Sequence, residues 1–193
     1  MKDYTYLTDQ QIIRLFKEGE TEMMSVLVNR YKKGIFSAIV LLIKDNHLAE
    51  DLFQDTFIKI INTIHKGGYA DEGKFLPWAM RVAHNLCIDH IRKAKTKSKT
   101  ISSFDSYNDN TVTTFDNAES DMIRGADHQN ISELIQKLPE EQREVVVLRH
   151  YADLSFREIA SMTHCSINTA LGRMRYALIN LRRMMAEEME LAA

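Results

Sequence analysis

Apolar and polar positions repeat with the period of an α-helix along most of the chain, and most regularly in residues 154–183. Ser155 is followed three residues later by Glu158, and this spacing predicts a capping box at the start of a short helix that ends by Thr163. Ser166 then predicts the N-cap of a second, longer helix. The buried face of that second helix is expected to contain Ile167, Ala170, Met174, Leu178 and Leu181.

The polar positions of the second helix carry charge of one sign. They include Arg173, Arg175, Arg182 and Arg183. No acidic residue occurs between Glu158 and Glu187. A short helix, a tight turn and a longer basic helix are typical of a helix-turn-helix, whose second helix enters the major groove of DNA. The alternative is a helical hairpin with solvated arginines, but the one-sided charge favours DNA, because a solvated helix usually mixes both signs.

The N-terminal part of the chain predicts a short helix followed by a long one. Thr8 and Gln11 form a second capping box, and the helix that they open ends at Gly19. From about residue 21 to residue 44 the apolar positions recur at helical spacing along one broad face, which predicts a long core helix. The short helix is expected to cover it.

Two further long helices complete the first half. Asp45 and Asn46 are expected to separate the first long helix from a helix over 47–65, which two glycines end. A polar loop follows. Pro77 is expected in the first turn of the next helix, where its missing amide breaks no hydrogen bond, and that helix is predicted to run to about residue 95.

From about residue 97 to residue 127 the sequence is rich in Ser, Thr, Asp and Asn, which predicts a flexible acidic linker. A helix up to Leu138 and another from Pro139 follow it. The second of these is expected to pack against the helix-turn-helix through Val145, Val146 and Leu148. The chain is therefore predicted to be all-α, with two small helical domains.

The 47–65 helix carries a compact acidic and amide patch on its polar face. Its members are Glu50, Asp51, Gln54 and Asp55, with Lys59 one turn further on. Charge alone favours an ordinary solvated face, because acidic side chains are favourable near a helix N-terminus.

The helix that contains Pro77 is basic on its polar side. Its polar residues include Arg81, His84, Asn85, His90, Arg92 and Lys93. The loop before it carries Tyr69, Lys74 and Phe75, so cations for phosphates lie near groups suited to unstacked bases, as in proteins that bind single strands. A metal site on His84, Cys87 and His90 is discounted, because the two histidines lie nearly opposite on the helix.

Composition excludes several classes of protein. The 193 residues, 45% of them hydrophobic, suit one or two small soluble domains. The net charge of −2 disfavours tight unaided binding to nucleic acid, which usually draws on a broadly cationic surface. Cys87 and Cys165 lie far apart, so no disulfide framework is expected and a reducing cytoplasm is the natural setting. No signal peptide or membrane-crossing run is recognised, so membrane insertion is not expected.

Four segments, taken in order, resemble the extracytoplasmic-function group of bacterial sigma factors. They are HLAEDLFQDTFIKII, KFLPWAMRVAHNLCIDHIRK, LPEEQREVVVLRHYADLSFREIA and SINTALGRMRYALINLRR. The resemblance covers nearly the whole chain and implies sigma region 2 over 1–96, a linker over 97–127 and sigma region 4 over 128–193. It further implies a cytoplasmic, non-enzymatic subunit without cofactor or metal that binds core RNA polymerase, directs it to a promoter and helps to melt the DNA.

The resemblance gives roles to three sets of residues. Docking on the clamp helices of the polymerase is expected from Glu50, Asp51, Gln54, Asp55 and Lys59. Capture of the single-stranded minus-ten element is expected from Tyr69, Lys74, Arg81, Asn85, Arg92 and Lys93. Asn85 is the best candidate for an extruded base, because an amide both donates and accepts hydrogen bonds. Contact with the minus-thirty-five element is expected from Ser166, Asn168, Thr169, Leu171, Arg173, Arg175, Tyr176 and Arg182.

Two sites depart from the family's usual pattern. His164 stands where the turn of the helix-turn-helix commonly has glycine, so a left-handed backbone there would fall on a histidine. Leu171 and Gly172 stand where polar residues are common, which reduces the number of hydrogen bonds expected to DNA.

The resemblance also implies partners and leaves an alternative. The expected partners are the clamp helices and flap of core RNA polymerase, promoter DNA and an anti-sigma factor, and the linker is expected to pass near the template strand. A free-standing helix-turn-helix regulator is the alternative, which the near-neutral charge disfavours because a lone regulator needs affinity of its own. A nucleotide-handling enzyme is disfavoured, since no phosphate-binding glycine loop or nucleophile–base set occurs.

Overall fold

The computed structural model describes residues 4, 6–70, 73–100 and 131–191, without the side chains of 97–100 and 191. These ranges contain helices and no strand, which confirms the all-α prediction. The helices are α1 (Asp9–Lys17), α2 (Glu22–Ile43), α3 (Asn46–His65), α4 (Phe75–Thr100), α5 (131–137), α6 (Glu140–His150), α7 (Phe156–Met162) and α8 (Ile167–Leu191). None of those described is both long and apolar enough to cross a bilayer.

The described residues divide into two compact units. The first contains α1, α3, α4 and α2 as far as Ile39, and the second contains α5 to α8 together with Val40–Asn46. Each unit therefore consists of several helices that bury a core of their own.

The predicted capping box at the start of α1 is confirmed. The Gln11 amide donates to Thr8 Oγ1 at 3.3 Å, and the Thr8 amide donates to Gln11 Oε1 at 2.9 Å. Asp9 accepts bonds from Arg30 Nη1 at 2.6 Å and from the Tyr31 hydroxyl at 2.5 Å, and these bonds fasten α1 to α2. The helix is followed by Gly19 with φ 109°, a backbone angle that glycine adopts without strain.

The buried side chains of the first unit come from all four of its helices. They include Ile12, Ile13, Phe16, Leu27, Ile35, Ile39, Ile60, Ile64, Phe75 and Cys87. Because Ile12, Ile13 and Phe16 are all buried, α1 lies over the longer helices as predicted.

The separation of α2 from α3 differs slightly from the prediction. Lys44 adopts the left-handed conformation with φ 62°, and Asn46 already begins α3. The break between the helices therefore consists of Lys44 and Asp45, so the prediction is right for Asp45 and wrong for Asn46.

Helix α4 begins as predicted and ends later. The Trp78 amide makes the first helical bond, to the Lys74 carbonyl at 3.2 Å, so Pro77 lies in the first turn and costs no hydrogen bond. The helix continues to Thr100, into the segment predicted as linker, because residues 96–100 contain neither glycine nor proline to end it. Residues 101–127 of the predicted linker lie outside the described residues.

In the second unit, α6, α7 and α8 all contact one another. Val145, Val146 and Leu148 are buried, and α6 contacts both helices of the helix-turn-helix, which agrees with their predicted packing. Arg143 is also buried, and its Nη1 donates to the carbonyls of Gln136 at 3.2 Å and Leu138 at 3.3 Å. It thereby satisfies carbonyl groups at the end of α5 that have no partner within the helix.

The helix-turn-helix forms as the sequence predicts. At α7 the Glu158 amide donates to Ser155 Oγ at 3.3 Å, and the Ser155 amide donates to Glu158 Oε2 at 2.9 Å. His164 carries the left-handed backbone with φ 52°. Ser166 Oγ then caps α8 by accepting the Thr169 amide at 3.0 Å.

The predicted buried face of α8 needs a correction. Ala170 is buried as expected, but Ile167 and Leu178 are exposed, and the second fully buried position is Ala177. At about 100° per residue, Ile167 and Leu178 lie about 60–80° from the line through Ala170, outside the strip that meets α6 and α7. Small alanines along this strip allow the helices to approach closely.

Candidate functional site

The acidic and amide patch of α3 lies entirely on the surface. Its members Glu50, Asp51, Gln54, Asp55 and Lys59 are all exposed. The opposite side of the helix is filled by the core. Even the buried Thr56 has its hydroxyl bonded within the helix, to the Leu52 carbonyl at 2.6 Å.

Sequence reasoning missed an apolar residue beside this patch. Ile58 is 56% exposed and stands four residues after Gln54 and three after Asp55, so it lies on the same side of α3. An exposed isoleucine surrounded by charged groups is the arrangement of an interface anchor within a polar rim. The exposure of Ile58 could have been predicted from its position, because it lies between Phe57 and Ile60 in the sequence but outside the apolar stripe that they share.

The residues expected to bind a single strand are not all on the surface. Lys74, Asn85, Arg92 and Lys93 are exposed and Arg81 is half-buried. Tyr69 is only 5% exposed. Its ring centre lies 4.5 Å from that of Trp78 and 6.2 Å from that of Phe75. Tyr69 therefore holds the loop against the start of α4, and its buried ring offers no face to a base.

Three of the remaining polar residues of α4 lie on one face of the helix. Arg81, Asn85 and Arg92 stand at positions i, i+4 and i+11, within about 40° of one another around the helix. Asp89 is exposed one turn after Asn85. His84, which the sequence analysis placed on the polar side, is buried.

Most of the residues expected to contact duplex DNA form the outer surface of α8. The exposed members are Ser166, Asn168, Thr169, Leu171, Arg175, Tyr176 and Arg182. Arg173 is placed differently, because its side chain is only 20% exposed and its Nη2 lies 3.0 Å from Glu141 Oε1 of α6. The structure therefore groups Arg173 with the α6–α8 interface.

A groove runs along α8 beside the start of α7. Its lining consists of Phe156, Leu171, Met174, Arg175, Leu178, Ile179 and Arg182. The lining thus combines apolar side chains with two arginines and contains no acidic residue. Such a surface suits a partner that presents both negative charge and apolar groups.

The Cys87 thiol and the metal-binding side chains offer no additional chemistry in the described part of the chain. Burial raises the pKa of the Cys87 thiol to about 12, so the thiolate that reacts or binds metal is not formed near neutral pH. No group of three or more His, Cys, Asp or Glu side chains among the described residues is arranged to hold a metal ion.

Comparison with family models finds two matches. Residues 27–97 match the model of Sigma-70 region 2, and residues 128–176 match the model of Sigma-70, region 4.

Proteins that are similar over most of the chain are also sigma factors. The chain is 32% identical over 156 residues to the ECF RNA polymerase sigma factor SigM of Bacillus subtilis, over 77% of this chain and 88% of that protein. It is 26% identical over 170 residues to the RNA polymerase sigma-H factor of Pseudomonas aeruginosa, over 86% of this chain and 87% of that protein. Among solved structures, the sigma factor RpoE of Bartonella quintana, bound to the anti-sigma factor NepR, has the same fold, with a TM-score of 0.65 at 17% identity over 86% of this chain and 98% of that chain.

Proposed function

The chain belongs to the extracytoplasmic-function RNA polymerase sigma factors of the sigma-70 family, which direct core RNA polymerase to promoters, and we propose how its helices divide that task. Residues 1–96 dock on the polymerase and capture the melted minus-ten element. Residues 97–127 link this region to residues 128–193, which read the minus-thirty-five element. The chain acts in the cytoplasm, catalyses no reaction and needs no cofactor.

The observation that carries the proposal is the surface of α3. Five polar residues, Glu50, Asp51, Gln54, Asp55 and Lys59, are exposed together, and Ile58 stands exposed among them. Together they form a surface with an apolar centre and a charged rim, which is the composition of protein–protein interfaces. We assign this surface to the clamp helices of core RNA polymerase.

The surface of α4 supports the binding of a single strand. Arg81 and Arg92 provide positive charge on either side of Asn85, and an exposed amide can both donate to and accept from the edge of an unpaired base. Lys74 and Lys93 add charge for phosphates. Tyr69 has a supporting role here, since it packs on Trp78 and fixes the loop that precedes the helix.

The outer surface of α8 supports the reading of duplex DNA. Ser166, Asn168 and Thr169 are exposed in its first turn, where the second helix of a helix-turn-helix meets base edges. Arg175, Tyr176 and Arg182 are exposed further along and are assigned to phosphates.

The same surfaces give the chain a second class of partner. A protein that covers the α3 patch would prevent docking on the polymerase, and the sigma factor of Bartonella quintana is held by an anti-sigma factor in its solved complex. We propose that an anti-sigma factor also regulates this chain, and that the flap of core RNA polymerase contacts residues 128–193.

The test is a fluorescence-anisotropy titration of the labelled full-length chain with bacterial core RNA polymerase. A variant with both Asp51→Asn and Asp55→Asn should bind at least about tenfold more weakly, because two charges of the interface are lost. The matched control is Glu18→Gln with Glu20→Gln, which removes the same charge from the exposed turn after α1 and should bind normally. Failure of the unaltered chain to bind core, together with direct binding to duplex DNA, would contradict the proposal in favour of a free-standing regulator.

A further inference from the structure

The exposed face of α8 has an apolar residue at its centre. Leu171 is 43% exposed, three residues after Asn168 and four before Arg175, in the half of the helix that enters the groove in a helix-turn-helix. Ile167, one turn earlier, and Leu178, two turns later, are exposed as well. An exposed apolar stripe on one helix face marks a surface that a partner covers.

The fold itself does not require a glycine at position 172, next to Leu171. Glycine inside a helix is destabilising relative to alanine. A Cβ atom built on Gly172 would meet nothing within 4 Å, whereas positive-φ glycines such as Gly19 need their backbone freedom. Neither packing nor backbone conformation therefore requires glycine at 172. What the missing side chain provides is room on the surface of α8 beside Leu171.

The charge around Leu171 indicates which partner approaches. Arg175 and Arg182 line the same groove, and its lining has no acidic residue, so the surface attracts a polyanion. In the major groove of DNA the one apolar group on the base edges is the 5-methyl group of thymine. A leucine flanked by arginines is suited to that group and offers nothing to the hydrogen-bonding edges of guanine, cytosine or adenine.

We propose that Leu171 selects thymine in the upstream promoter element by packing against its 5-methyl group, and that Gly172 lets α8 approach the bases closely enough for this contact. The inference rests on the proposed function, since it requires α8 to lie in the major groove. In this proposal the base at this position is recognised through an apolar contact with Leu171 and not through a hydrogen bond.

The experiment uses holoenzyme assembled from the full chain and bacterial core RNA polymerase. Duplexes selected from a library randomised in the upstream element are resynthesised with deoxyuridine in place of each thymidine in turn, which removes only the methyl group. At one or two positions deoxyuridine should weaken binding about fourfold, the effect of one methyl group leaving an apolar contact. Leu171→Ala should weaken binding to the thymidine duplex to a similar extent and abolish the difference. The control Ile131→Ala, at an equally exposed apolar residue of α5 outside this groove, should preserve it.

A second pair of variants tests the glycine. Gly172→Ala should raise the thermal stability of the free chain, because alanine is the better helix former, and yet weaken binding to the selected duplex. Gly34→Ala is the matched control, since Gly34 is also helical and a Cβ there meets nothing within 4 Å. It should raise the stability and leave duplex binding unchanged.

The outcomes separate this inference from the function on which it rests. Holoenzyme that selects an upstream element but binds thymidine and deoxyuridine duplexes equally would overturn the inference alone. Loss of core binding in Leu171→Ala with unaltered DNA preference would overturn it in favour of a protein-docking groove. Failure to form holoenzyme, or to select any upstream element, would overturn the proposed function as well.

Discussion

Arg173 of α8 and Glu141 of α6 form an ion pair, with Nη2 and Oε1 3.0 Å apart. The arginine side chain is mostly buried, and its Nε has no hydrogen-bond partner among the described residues. A second bond joins the same helices, from Asn180 Nδ2 to Gln142 Oε1 at 2.8 Å. These contacts hold α8 on α6, so Arg173 lies in the α6–α8 interface and not on the outer surface of α8.

We therefore expect Arg173 and Glu141 to be energetically coupled in folding. In a double-mutant cycle of Arg173→Ala and Glu141→Ala, the coupling free energy should be about 0.5–1 kcal/mol, because Glu141 remains exposed to water that screens the pair. Urea unfolding followed by circular dichroism provides the four free energies of unfolding.

The control cycle pairs Glu141→Ala with Arg175→Ala, since Arg175 is exposed two residues further along α8. Its coupling should be near zero. Equal coupling in both cycles would mean that the effect arises from net charge and not from the α6–α8 contact.

The capping box of α7 should contribute measurably to stability. Ser155→Ala removes the oxygen that accepts the Glu158 amide and should lower the free energy of unfolding by about 1 kcal/mol. Ser155→Asp, which keeps an acceptor at the N-cap, should restore most of the loss. A full loss in both variants would show that Ser155 acts through something other than its cap. Circular dichroism in urea is again the measurement.

The predictable parts of this fold are those set by local chemistry. The capping boxes at Thr8 and Ser155, the turn at His164 and the start of α4 near Pro77 follow from groups within four residues of each other. Their partners are adjacent in sequence, so the pattern of residue types is sufficient to find them.

The errors concern partners that are distant in sequence. Ile167 and Leu178 fit an amphipathic face, but the strip that meets α6 is centred on Ala170 and Ala177, and the sequence of α8 alone does not say how wide that strip is. Arg173 fits the pattern of a DNA-facing arginine, but its partner Glu141 lies on another helix, far from it in the sequence.

The candidate surfaces show the same limit. The exposed patch on α3 follows from helical spacing, whereas the burial of Tyr69 depends on Trp78 and Phe75, which meet it only in the folded loop. Ile58 and Gly172 are single residues that break their local pattern. Their meaning depends on what surrounds them in three dimensions.

Tyr31 should make the first unit sensitive to alkaline pH. Burial and the hydrogen bond to Asp9 raise the pKa of Tyr31 from 10.0 to about 12. Because the folded-state pKa is the higher one, this contribution to stability is complete below pH 10 and is lost as the pH rises from 10 to 12. Tyr31→Phe should therefore show a shallower fall in urea midpoint over that range, measured by the fluorescence of Trp78, the one tryptophan in the chain.

The variant Asp9→Asn separates the two causes of the raised Tyr31 pKa, which are burial and the hydrogen bond to Asp9. It weakens the acceptor of the Tyr31 hydroxyl but leaves the burial of the ring, so its fall in midpoint should lie between those of the unaltered chain and Tyr31→Phe. An identical fall in all three proteins would show that other groups determine the alkaline unfolding.

Asn85 should carry base selectivity in the melted strand. The probe is a fork-junction DNA, duplex upstream with a single-stranded non-template extension, bound by holoenzyme made with the full chain. Asn85→Ala should reduce the preference between the best extension and one substituted at the contacted base by about tenfold, the loss of about 1.4 kcal/mol of hydrogen bonding.

Asp89 provides the opposite test on the same surface, because its carboxylate is exposed one turn after Asn85 and repels the phosphates of a strand bound there. Asp89→Asn should strengthen binding to every fork junction and leave the base preference unchanged, since contacts with phosphate carry no sequence information. If Asn85→Ala keeps the full base preference and Asp89→Asn leaves the affinity for fork junctions unchanged, the strand binds elsewhere on the first unit. If Asn85→Ala lowers the base preference and Asp89→Asn raises the affinity for every fork junction, the base lies at Asn85 and the DNA backbone lies beside Asp89.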